Sequence, residues 1–97
     1  MTQNREPAWI RLRPGHWLLV PEPDAPRDES GLRTAALAEV VKRPSHEIPA
    51  NRAFPQPRYR AAINHPSARE TWALVMSVAQ GRRWAETQLA RLPAQPG

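Results

Sequence analysis

Cysteine is absent from these 97 residues, which excludes a disulfide framework, a thiolate nucleophile and any zinc site built on sulfur. Glycine is nearly as scarce. The four present, Gly15, Gly31, Gly81 and Gly97, never cluster, so the chain offers neither a phosphate-cradling loop nor a dinucleotide fingerprint. Lysine occurs once, as Lys42. No apolar run approaches the about 20 residues that a membrane-spanning helix needs. The start, Met1-Thr2-Gln3-Asn4-Arg5-Glu6-Pro7, also lacks the apolar stretch of a signal peptide. The expectation is a cytoplasmic protein with no membrane attachment.

Groups that could carry chemistry are thinly spread. His16, His46 and His65 all fall beside turns or helix ends. No two are three to five residues apart, the spacing that would put both on one helical face for a metal, so surface histidines are expected. Glu22, Asp24, Asp28 and Glu29 crowd a proline-rich stretch, where too little desolvation is expected to tune an acid and a base. Catalysis, a cofactor, a bound metal and a small-molecule substrate are therefore not expected.

What the chain has in quantity is alanine, arginine and proline. Twelve residues are proline, and the formal charge is +5. Arginine forks suit phosphates and carboxylates, although the codons of a GC-rich gene write the same three residues with no selection for binding. At this length one small domain is expected, with burial only just offsetting chain entropy.

Periodicity predicts an α+β fold. Trp9–Arg13 and His16–Val20 read as a strand pair around Pro14-Gly15, with Ile10 and Leu12 on one face of the first strand and Arg11 and Arg13 on the other. Proline followed by glycine suits a type II turn, whose twist is wrong for a tight hairpin. The stretch 21–29, with three prolines, reads as an extended strap. A short helix is expected from Ser30 or Gly31, with Ser30 as N-cap, through Leu32, Leu37, Val40 and Val41 to Arg43, ended by Pro44. Residues 44–66 carry five prolines and read as an ordered, irregular loop pinned by Ile48, Phe54, Tyr59 and Ile63.

Ser67-Ala68-Arg69-Glu70 is a capping-box pattern, and it predicts a long C-terminal helix reaching Leu92. Such a helix would span about 39 Å, more than one compact domain of this size covers. A bend at Gly81 or packing on a second copy would resolve the conflict, so a homodimer is expected. Residues 1–8 and 93–97 have nothing to pack and are expected to fray.

Two surfaces follow. Arg52, Arg58, Tyr59 and Arg60 alternate cations with an aromatic in proline-rich chain. Together with Arg11 and Arg13 on the strand pair they form a candidate nucleic-acid surface, since arginines bind phosphates and aromatics stack on unpaired bases. Tyr59 also suits a core anchor. Arg82, Arg83 and Trp84 form a candidate partner-binding cluster beside Gly81, tryptophan being common at interface hot spots. The expected function is a small non-catalytic accessory protein that binds nucleic acid. The alternative is a protein-binding adaptor or inhibitor. Small chains without catalytic motifs are often carried on phages and other mobile elements, a weak association that adds nothing to the chemistry.

Overall fold

Five strands form one antiparallel sheet whose spatial order is their sequence order: β1 (Ala8–Arg13), β2 (His16–Val20), β3 (Ala38–Lys42), β4 (Tyr59–Ile63) and β5 (Trp72–Val75). Helix α1 (Glu29–Ala35) lies between β2 and β3, and α2 (Val78–Ala90) follows β5. The computed structural model describes residues 6–49, 55–65 and 71–92. The result is a small α+β domain. Among its described residues no helix is long and apolar enough to cross a membrane.

Register sorts the side chains onto two faces. The first face carries Trp9, Trp17, Leu19, Ala38, Val40, Tyr59, Ala61, Ile63, Ala73 and Val75, and α2 lies across it. Ala85 is fully buried against Leu19, Ala38 and Ile63, while Trp84 packs both there and against Val40, Ala61 and Val75. The second face carries Ile10, His16, Leu18, Val20, Glu39, Val41, Arg60, Ala62, Trp72 and Leu74. Helix α1 covers only its β1–β2 end, where Leu32 and Ala36 meet Leu18, Val20, Ile10 and Leu12.

Several local expectations change. Gly15 takes φ of 77°, as the second corner of a type II turn requires. The mismatch in twist is absorbed by a register shift between Arg11 and Arg13, because a bulge adds local twist. The strap at 21–29 is not extended. It turns at Glu22, which takes φ of 52°, and Arg27 Nη1 donates to Pro21 O at 2.9 Å, tying it down.

The helix predicted to Arg43 stops at Ala35. Its cap is Asp28, whose carboxylate accepts from Gly31 N at 2.7 Å, not Ser30. Ala36 is already extended, and Ala38-Glu39-Val40-Val41-Lys42 becomes a central strand. The branched valines suit the pleat, and β3 gains a ladder on each side. Within the proline-rich segment, Tyr59–Ile63 is strand β4. Arg43 fastens the intervening chain by donating to Pro57 O at 2.7 Å and to Glu47 O at 3.0 Å. Phe54 lies outside the described residues.

The continuous helix from Ser67 to Leu92 is overturned. Ser67 and Glu70 lie outside the described residues, and Trp72–Val75 is an edge strand paired with β4. The helix starts ten residues later. Ser77 Oγ accepts from Gln80 N at 3.1 Å, and Gln80 Oε1 accepts from Met76 N at 2.6 Å, a reciprocal arrangement of the capping-box kind. Thirteen residues fit one domain, so the length conflict disappears. Its apolar stripe of Ala85 and Leu89 is covered by the chain's own sheet, which removes that reason for a second copy. Gly81 is no bend: it is buried in the first turn of α2, where a Cβ would meet Val40 at 3.0 Å and Val75 at 3.1 Å.

Candidate nucleic-acid interface

The sheet separates the six residues expected to meet nucleic acid. Arg58 and Arg60 share the second face, because Arg60 stands opposite Val41 and Leu74 and Arg58 lies two residues before it. Tyr59 points the other way, half-buried against Val40, Ala61 and Val75. Arg11 pairs with Trp17 and Arg13 with His16, so the bulge sends these two arginines to opposite faces. Arg13 is ion-paired with Glu29. Arg52 lies outside the described residues.

The expected partner-binding cluster is likewise divided. Trp84 is part of the core. Arg82 stacks between two rings, its guanidinium carbon 5.5 Å from the Trp9 centroid and 5.7 Å from that of Trp17. Glu86, one turn after Arg82, accepts from Trp9 Nε1 at 2.9 Å. Only Arg83 of the three is exposed.

The exposed tryptophan is one that helical spacing had hidden. Trp72 is 53% exposed, with Leu74 at 41% and Met76 at 45% beside it. They come to the surface because, among the described residues, β5 pairs with β4 alone and no helix covers the second face there. Arg60 reaches diagonally to Trp72, its guanidinium carbon 5.5 Å from the ring centroid. An exposed contact of this kind contributes about 0.5–1 kcal/mol. It also holds ring and cation side by side. The Arg58 guanidinium has no hydrogen-bond or ion-pair partner among the described residues.

Toward α1 this surface deepens into a groove of about 370 Å³ lined by Leu18, Arg33, Ala36, Glu39, Ala62 and Asn64, among others. Ala62 joins it to Trp72, its partner across β4 and β5. The one acid in the groove, Glu39, is engaged: its Oε2 lies 2.9 Å from Nε2 of His16, which is buried and not at the surface. The cations on this side are Arg33, Arg58 and Arg60, with the Glu39 carboxylate among them in the groove.

No family model, curated protein or solved structure matches the chain.

Other candidate chemistry disperses. Asp28 caps α1, Glu29 holds Arg13, and Glu22 lies 3.9 Å from Arg27, so these three acids of the strap serve local structure. No group of three His, Cys, Asp or Glu side chains is placed to hold a metal among the described residues. A capping signature at Ser77 and Gln80, following the branched and aromatic residues of Thr71–Val75, was the signal for a strand here, since strand signals end where a helix cap begins.

Proposed function

We propose that this chain is a non-catalytic protein that binds single-stranded nucleic acid across the uncovered β3–β5 part of its second face. The observation that carries the reading is the stacking of Arg60 on the exposed Trp72, with Arg58 beside it and no helix above. An unpaired base presents a π-face to Trp72, and base–aromatic stacking contributes about 1–3 kcal/mol per base. Arg58, Arg60 and Arg33 meet the phosphates on either side. A groove of about 370 Å³ is at the lower end of small-ligand pockets and takes a base turned out of the strand. Duplex fits less well, because an open sheet face reads splayed bases and not a closed helix.

Fluorescence anisotropy with labelled oligothymidine and oligouridine tests this. Trp72→Ala should weaken binding by the stacking term. Joint replacement of Arg58 and Arg60 by glutamine should lower the slope of log affinity against log salt by about 0.7 for each phosphate left unneutralised. Undetectable binding at low salt, or an unchanged slope in the double variant, refutes the proposal. The row of Trp72, Leu74 and Met76 favours a second reading, an adaptor gripping a protein partner. That interface would be nearly indifferent to salt.

A further inference from the structure

Alternation in β5 decides where its backbone groups point. Ile63 N donates to Thr71 O at 2.8 Å, so Thr71 turns its backbone toward β4, and Ala73 and Val75 do the same in the same ladder. The N–H and C=O groups of Trp72 and Leu74 therefore face outward. Beyond them the edge closes, because Met76 N–H is bonded to the Gln80 side chain at 2.6 Å. β5 ends the sheet, and among the described residues no strand pairs with its outer side.

The opposite edge carries protective devices that, among the described residues, this one lacks. β1 carries a register shift and the charges of Arg11 and Arg13, with Pro14 next to it, all devices that discourage edge pairing. From Thr71 to Gln80 the chain has no charged residue, no proline and no glycine.

We propose that β5 pairs antiparallel with β5 of a second copy of this chain, about a twofold axis at Ala73. The outward groups are self-complementary in this register. Trp72 stands opposite the partner's Leu74, and Leu74 opposite the partner's Trp72, so all four outward N–H and C=O groups of each copy are bonded and four hydrogen bonds form. The neighbouring register would set Trp72 against the partner's Met76, whose N–H is already taken. Two chains of charge +5 meet here without like charges on the edge itself. The two Trp72–Leu74 cross-strand pairs set side by side across the seam side chains that are 53% and 41% exposed in the single chain. A seam this short makes a weak dimer whose population depends on concentration. Edge geometry alone supports this pairing, whether or not the face binds nucleic acid.

Sedimentation velocity over a wide concentration range should show the mass rising from 11.0 kDa toward twice that value. The absence of native cysteine makes crosslinking unambiguous. In Ala73→Cys the two introduced residues face each other as a non-hydrogen-bonded pair, Cα atoms about 4.5 Å apart, within disulfide range. Mild oxidation should yield a covalent dimer, while Arg83→Cys, exposed on α2, should not. Leu74→Pro removes one outward N–H per copy, tolerable on an edge strand. It should weaken association about twenty-fivefold, about fivefold for each of the two hydrogen bonds removed. A single 11.0 kDa species at every concentration, a dimer unaffected by Leu74→Pro, or crosslinking at position 73 no faster than at position 83 overturns the proposal.

Discussion

Replacing Gly81 by alanine sets two effects of opposite sign against each other. In an exposed helix the change would stabilise by about 1 kcal/mol, because glycine is the poorer helix former. Here the new methyl would lie 3.0 Å from both γ-carbons of Val40 and 3.1 Å from one of Val75, where carbon atoms normally rest about 3.5–4.0 Å apart. Neither neighbour can swing aside. Both are β-branched and stiff at χ1, and Val40 is fully buried. Helix and sheet must therefore separate, and overpacking of this kind costs about 1–3 kcal/mol. The expected net loss is about 1 kcal/mol, which lowers the melting midpoint of a domain this small by about 4–8 °C. Thermal unfolding followed by far-UV circular dichroism reads it directly. The same substitution in a Val40→Ala background should be neutral or stabilising, since the methyl then fills vacated space, and the cycle should show favourable coupling. A raised midpoint for Gly81→Ala in the parent chain would refute the close approach of α2 to β3.

Two further outcomes test the cap and the assignment of faces. Ser77→Ala should lose about 1 kcal/mol by removing the acceptor for Gln80 N–H, and urea denaturation giving parental stability would mean that α2 does not begin there. Trp84→Ala should cost about 3 kcal/mol and leave the domain marginal, whereas Trp72→Ala should alter stability by less than about 1 kcal/mol; the reverse order in urea midpoints would exchange the buried and open faces.

The α+β class was legible because both periodicities occur in the chain, and the later half of α2 was visible in the stripe of Ala85 and Leu89. Strands β3 and β5 were not. Val40-Val41 and Trp72-Ala73-Leu74-Val75 are short apolar runs whose spacing also fits a helix, and periodicity alone does not separate the two. What decides between them is the neighbour. β5 needs β4, and β4 was hidden in proline-rich chain. The same gap explains the site. Arg58 and Arg60 were legible as cations in an aromatic context, but the aromatic partner of Arg60 is Trp72 across the ladder and not Tyr59 in sequence. Simple alternation puts Arg11 and Arg13 on one face, because a bulge leaves no trace in the sequence pattern.

An excess of arginine written by base composition alone carries no rule about where the side chains end. In this fold their fates divide. Arg13, Arg27, Arg43 and Arg82 are committed to the chain itself, to Glu29, to Pro21 O, to Pro57 O and Glu47 O, and to the rings of Trp9 and Trp17. Arg33, Arg58 and Arg60 lie on the side of the second face. That face stays open for a geometric reason: α2 is spent on the other side of the sheet, and the seven residues of α1 reach only the β1–β2 end. Covering the rest with a third element would bury Arg58 and Arg60 unless that element brought carboxylates to meet them, and an unpaired buried charge costs several kcal/mol. Under the proposed function a polyanion, whose phosphates stay wetted at their outer side, would meet the same cations while Trp72 took its bases. The open face is therefore better explained as a surface that an anionic partner completes than as a core left unfinished.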